Sequence, residues 1–360
     1  MPLPSSPDQP DRTLADRALV DRALADRALG ALVGGALGDA LGMPTQTRSP
    51  AQIAAAYGTV TGFVAPAADH PVSRGLAAGT ITDDTYQTLL LAETLLASGP
   101  VFDDLKWVEA LVGWEDDVRA RGSYDLLGPS TKRASDAIRA GTPASEAGRY
   151  GDTNGAAMRI APVGILMPPE PLAALIDKVA ETCRATHNSA RAIAGASAVA
   201  AAVSCGLDGG DWQAATALAG RAAAEARDRG HWVAGADIAA RIAWARDLAT
   251  GRDQEAVRRQ IIDLIGTDVA TQESVPAAFA VLAMTRGDAW QAAVLAANLG
   301  GDTDTIGAIA AGMAGACSGF SSLPQDRISE LRGFDLAAAR RMTEALLARR
   351  LGGDGLRSAS

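Results

Sequence analysis

The chain has 360 residues, of which 48% are apolar, 4% aromatic and 21% charged, enough apolar material for one large buried core. Its formal charge is −9, and only Lys106, Lys132 and Lys178 among its 33 basic residues are lysines. That balance excludes non-specific nucleic-acid binding through clustered cations, though not a small anion held in a local pocket.

Residues 1–10 are rich in proline and serine and are expected to be disordered. The N-terminus is acidic and lacks an apolar signal core, so export is not expected. Asp-Arg-Ala-Leu then repeats at 16–19, 21–24 and 26–29. Leucine at every fifth position turns by about 140° per step on a helix, so no single stripe faces a core. Residues 1–28 are therefore read as a disordered or loosely helical extension, and 29–352 as the folded domain.

From residue 29 onward, Ala/Leu-rich segments are broken by glycine and proline. The patterns predict helices at 86–98, 104–119, 171–186, 189–204, 211–228, 232–249, 254–265, 275–283, 288–297 and 336–351. Alternating β-branched runs and hairpin signals are almost absent, and no polar linker divides the chain. The fold class is all-α, a single compact bundle. The charge-free run 192–207 falls short of a bilayer-spanning helix. Cys183, Cys205 and Cys317 are odd in number and scattered, as expected of buried thiols in the cytoplasm.

Gly30, Gly34, Gly38 and Gly42 recur every fourth residue, as do Gly307, Ala311 and Gly315. Glycine inside a helix costs roughly 1 kcal/mol against alanine, and it suits close backbone approach. The pattern places both helices at the centre of the bundle.

Two acidic clusters begin helices: Thr82-Asp83-Asp84-Thr85, and Asp302-Thr303-Asp304-Thr305. Each alone reads as an ordinary N-terminal cap. Together they offer four carboxylates and several hydroxyls, hard oxygen donors suited to Mg²⁺, Mn²⁺ or Ca²⁺ rather than zinc. An EF-hand beginning at Asp302 fails at Ile306 and Met313. Phosphate-binding and dinucleotide glycine motifs are missing, and His70, His187 and His231 lie far apart in sequence.

Five segments occur in one order: Gly34-Gly35-Ala36-Leu37-Gly38-Asp39-Ala40-Leu41-Gly42, Thr82-Asp83-Asp84-Thr85, Asn154-Gly155-Ala156-Ala157-Met158-Arg159, Thr186-His187, and Gly300-Gly301-Asp302-Thr303-Asp304-Thr305-Ile306-Gly307. In these the chain resembles the ADP-ribosylglycohydrolase family, which includes dinitrogenase-reductase-activating glycohydrolases and ADP-ribosylarginine hydrolases. The similarity is nearest a bacterial branch and runs from residue 29 to about 319; Ser274-Val275-Pro276-Ala277 and Gly128-Pro129-Ser130-Thr131 share it.

The resemblance implies an orthogonal helical bundle with a central cleft holding two Mg²⁺ or Mn²⁺ ions. By the same resemblance, Thr82, Asp83 and Asp84 are ligands from one helix start and Asp302, Asp304 and Thr305 from the other. Asp83 or Asp84 would orient the attacking water and take its proton. Asp39 would serve as a ligand or support one. Asp152, Thr153, Asn154 and Gly155 fall on the loop along the ribose and diphosphate, and Asp125 with Gly128 to Thr131 on another ribose-side loop. His187 matches a position at the far end of the groove; read on its own it is equally a helix-cap or core histidine. Where many relatives carry a glutamate after the first motif, this chain has Gln46, which cannot act as a base, and Glu273 is a candidate stand-in.

The implied activity is Mg²⁺-dependent hydrolysis of an ADP-ribosyl N-glycosidic bond, with an ADP-ribosylated protein (arginine by default) as partner. Two alternatives stay open: hydrolysis of a small N-riboside, and a non-catalytic member that binds ADP-ribose or serves structurally. Nucleic acid and membrane are not expected partners.

Overall fold

The computed structural model describes residues 14–120, 127–251 and 253–352, with side chains from residue 21 onward. Among the described residues are eighteen α-helices and no strand; the only extended pairings are isolated bridges such as Arg48–Gly301 and Thr153–Ala270.

The axis of the fold is an antiparallel pair of helices from opposite ends of the chain, Leu14–Gly42 and Thr303–Ser318. Gly30 lies against Gly315, Gly34 against Ala311, Gly38 against Gly307 and Gly42 against Thr303, so near that a Cβ on any of the four would overlap the opposing carbonyl. The two helices touch backbone to backbone. This sets the C-terminal end of the first helix, with Asp39, beside the acidic start of the second.

Ala190–Leu207 packs against this pair. Sixteen of its 18 residues are buried, and its N-cap Ser189 accepts from Ala192 N at 3.3 Å. By length and composition it is apolar enough to cross a membrane, but here it is buried inside the bundle. A helix that is apolar all round belongs in a core of this kind.

The predicted boundary at residue 28 is not a structural one. The first helix runs unbroken through it; Leu24 and Ala28 are buried, and Asp26 accepts from Ser321 N at 3.0 Å and Ser321 Oγ at 2.9 Å. Stepping leucines do not need one stripe when a helix is covered on several sides, and this one meets the helices 289–297, 303–318 and 336–352. The helix predicted from 232 begins instead at Ile238, capped by Asp237, whose carboxylate accepts from Ala240 N at 2.8 Å.

Candidate active site

The helix Asp83–Ala97 is capped from outside. Its own N-cap, Thr82, makes no side-chain cap bond. Asp39, wholly buried, accepts instead from Thr82 N at 2.9 Å and Thr85 N at 3.1 Å, and from both threonine hydroxyls. A carboxylate at a helix N-terminus satisfies orphan N–H groups and complements the dipole. Burial pushes Asp39 above the ordinary carboxylate range, opposed by these four donors. With both oxygens engaged, Asp39 holds the Thr82–Thr85 turn in place.

The turn presents Asp83 and Asp84. Asp83 Oδ2 accepts from Gln87 Nε2 at 3.0 Å. Asp84 is buried; its Oδ2 accepts from Thr305 Oγ at 3.3 Å across the cleft, whereas Oδ1 has no hydrogen-bond partner. Burial raises its carboxyl well above the usual range, and the charges of Asp83, Asp304, Asp39 and Asp302 add to the shift. Mutual repulsion among five aspartates is the electrostatic sign that the two helix starts converge.

The second start is fixed as tightly. Gly300 and Gly301 have φ of 81° and 79°, and Gly301 exchanges bonds with Thr47 N at 2.7 Å and Arg48 O at 3.0 Å. Asp302 N donates to Thr267 O at 2.7 Å, and Thr303 Oγ donates to Gly42 O at 2.9 Å. Asp304 and Thr305 are buried, while Asp302 accepts from Asn154 Nδ2.

A cavity of about 240 Å³ opens beside these groups, lined by Asp83, Asp302, Asp304 and Thr305 with Gln46, Gly128, Thr131, Thr153, Asn154 and Gly155; Thr82 and Asp84 are buried and do not line it. Gln46 is fixed by Nε2 donating to Ser73 Oγ at 3.0 Å. A larger groove of about 890 Å³ lies elsewhere, between Trp212 and Arg286, and has no carboxylate in its wall.

Other expected site residues are placed differently. Asp152 does not line the cavity; its carboxylate pairs with Arg191 at 2.8 Å and its carbonyl takes Thr271 Oγ at 2.8 Å. His187 does not line it either. It is fully buried behind the loop, where a Cβ on Gly155 would stand 2.9 Å from its ring, so the core-histidine reading describes it. Burial, then the Arg159 and Arg133 charges, hold its pKa well below the ordinary value, and the ring is neutral. Glu273 turns from the cleft to accept from Asp268 N at 3.2 Å, supporting the loop beside Asp302 rather than standing in as a base. Asp125 lies outside the described residues. Reading residue types alone missed Gln87, Arg159 and Ser274; Arg159 closes the Asn154 to Arg159 motif, and Ser274 opens the Ser-Val-Pro-Ala segment.

Among the described residues no three carboxylate, imidazole or thiolate groups already stand together as a formed metal site. The donor set is mixed, carboxylates with threonine hydroxyls, which is the chemistry of a hard cation. The unpartnered Asp84 Oδ1, buried among like charges, is the atom that a cation would satisfy, and the residues fit one.

The ADP-ribosylglycohydrolase family model matches residues 21–356. The chain belongs to the ADP-ribosylglycohydrolase family. This family member is 36% identical over 303 residues to the uncharacterised protein YegU of Escherichia coli (strain K12), covering 84% of this chain and 90% of YegU. It is 34% identical over 293 residues to an uncharacterised protein of Archaeoglobus fulgidus, covering 81% and 87% respectively. It is 29% identical over 316 residues to the ADP-ribosylarginine hydrolase Tri1 of Pseudomonas putida, covering 84% and 73%. A solved structure described as an ADP-ribosylglycohydrolase-related protein complex shares the fold, with a TM-score of 0.64 at 24% identity over 91% of this chain and 99% of that one. Membership brings glycohydrolase chemistry as the general expectation for this ADP-ribosylglycohydrolase relative.

Proposed function

We propose that this protein is a divalent-cation-dependent hydrolase of ADP-ribosyl N-glycosidic bonds, with ADP-ribosylated arginine on a protein as its substrate. The observation that carries this reading is the meeting of two acidic helix starts, through Asp83, Asp302 and Asp304, in the wall of one cavity, next to Asp84, whose Oδ1 is buried and unpartnered. Thr82, Asp83 and Asp84 on one side and Asp302, Asp304 and Thr305 on the other would hold two Mg²⁺ or Mn²⁺ ions. When bound, such ions supply positive charge that offsets the carboxylates and polarises water and sugar hydroxyls.

The chain's own residues do the rest. Asp83 or Asp84 orients a water for attack on ribose C1 and takes its proton, and as the C1–N bond breaks that proton is returned to the leaving nitrogen. Carboxylates beside C1 stabilise the oxocarbenium-like sugar. Thr153, Asn154 and Gly155 form the wall along which the rest of the ligand lies.

A second reading, a small N-riboside hydrolase, is favoured by the cavity's size. At about 240 Å³ it falls below the range of roughly 300–1,000 Å³ typical of pockets that bury larger ligands. One experiment separates the two: turnover of an ADP-ribosylated arginine peptide and of a plain N-riboside, with Mg²⁺ and with chelator. Mg²⁺-dependent release of ADP-ribose from the peptide is expected. Turnover of the riboside alone, or turnover indifferent to chelation, overturns the proposal.

A further inference from the structure

Behind the cleft, Arg159 is fully buried. Its guanidinium lies 4.8 Å from the centre of the Trp107 ring. Nη1 donates to Gln87 Oε1 at 2.7 Å and Nη2 to Thr186 Oγ at 2.7 Å. From Gln87 the path continues to Asp83 at 3.0 Å; from Thr186 it passes to His187 Nδ1 at 2.9 Å, and His187 Nε2 meets Thr153 Oγ at 3.0 Å. Arg159, Gln87, Thr186 and His187 are all buried, so water does not complete this accounting.

The direction of each bond follows from one fact: a guanidinium has donors and no acceptor. Gln87 must turn its carbonyl to Arg159, and so its NH₂ to Asp83. Thr186 Oγ accepts from Arg159 and keeps one proton free to go to His187 Nδ1. Arg159 Nη2 also faces that nitrogen at 3.5 Å, so Nδ1 is an acceptor twice over. The neutral ring then carries its proton on Nε2 and donates it to Thr153 Oγ. Thr153 lines the cavity, and its own proton is left to point there.

We propose that Arg159 is a positioning residue that sets the polarity of this relay, so that Gln87 presents an N–H to Asp83 and Thr153 presents a hydroxyl proton to the ligand. Resting on the function proposed above, the Thr153 side of the cleft thereby suits a ligand oxygen that bears no proton, such as a phosphate oxygen. His187 acts from behind the wall, without touching the ligand.

The test is nitrogen-15 NMR of the histidine rings, tractable because the chain has only His70, His187 and His231. His187 should be a neutral Nε2–H tautomer at pH 7. Arg159→Lys, still donor-only, should keep that tautomer, whereas Arg159→Gln should give a mixed or Nδ1–H ring. A purely structural role for Arg159 would make the two variants alike. A wild-type ring that is Nδ1–H or doubly protonated overturns the relay without any variant, so a misfolded Arg159→Gln does not rescue it. In parallel, Thr153→Val should weaken ADP-ribose binding by about tenfold and Thr153→Ser should not; equal losses overturn the donor role. Wild-type protein with the expected tautomer that binds no ADP-ribose supports the relay and sinks the ADP-ribose reading instead.

Discussion

Asp84 is kept at a cost to stability. A buried carboxylate facing other carboxylates disfavours the folded state until something positive offsets it. Asp84→Asn should therefore raise the melting temperature in chelator, while the wild type should become the more stable of the two in saturating Mn²⁺, by mass action on a site that the variant lacks. Activity should be lost in the variant. Thermal melts of both proteins across a Mn²⁺ titration check this, and parallel curves that never cross refute it. His187 gives a second effect with a definite sign. Its folded pKa lies well below 6.5, so above pH 6.5 the ring is neutral folded and unfolded and adds no pH dependence. As pH falls below 6.5 the unfolded chain takes up a proton that the folded chain refuses, and stability is lost by up to about 1.4 kcal/mol per pH unit until the folded pKa is reached. The stability gap between wild type and His187→Asn should accordingly narrow from pH 7 to pH 5 in denaturant titrations. A constant gap rules this out.

Elements were legible where a helix carried its own signals. The runs predicted at 104–119 and 288–297 correspond to Asp104–Ala120 and Ala289–Ala297, the latter capped by Asp288. Pro50–Tyr57 was missed although Ser49 and Gln52 form a capping box, because the segment is only 8 residues long. The helix predicted from 275 begins four residues earlier. Pro276 suggests a first turn, but the helix starts at Thr271, and the Gln272 carbonyl that Pro276 cannot serve is taken by Arg241 Nε at 3.1 Å. That partner is remote in sequence and left no local trace. The glycine stripes were legible as close packing and lead to a contrast. Gly38→Ala should destabilise by about 2 kcal/mol or more, because overlap with the Gly307 backbone outweighs the roughly 1 kcal/mol gained in helix propensity. Gly35→Ala, whose Cβ would meet only Ala308 O at 3.5 Å, should be neutral or stabilising by up to about 1 kcal/mol. Chemical denaturation of both variants decides; equal effects would refute the backbone-contact account.

At the scale of the molecule, the acidic centre was readable because two clusters that singly read as caps together offer more carboxylates than capping needs, and the resemblance supplied the order of the motifs. The outer contacts were not readable. Asp152 is drawn off by Arg191 and His187 is enclosed by Arg159, partners that only the folded chain brings near, and Glu273 turns to the Asp268 amide, a local bond with no sequence motif to announce it. The first helix belongs to the domain from before residue 29. Removing residues 1–28 should cost about 1.5–3 kcal/mol for Leu24 and about 1 kcal/mol for the Asp26 hydrogen bonds to Ser321. A truncated protein that melts with the full chain would show these contacts to be idle. The paired glycine helices also govern when the cleft can exist. One is made within the first 42 residues and its partner ends at Ser318, so their contact closes nearly the whole chain into a loop. Closure over such a span is slow, and it waits on synthesis as well as on diffusion. A nascent chain that has not yet made residues 303–318 lacks the helix that carries the second acidic start, however much other helix it has formed. On the ribosome the active centre is therefore expected to form late, after the second glycine helix has emerged.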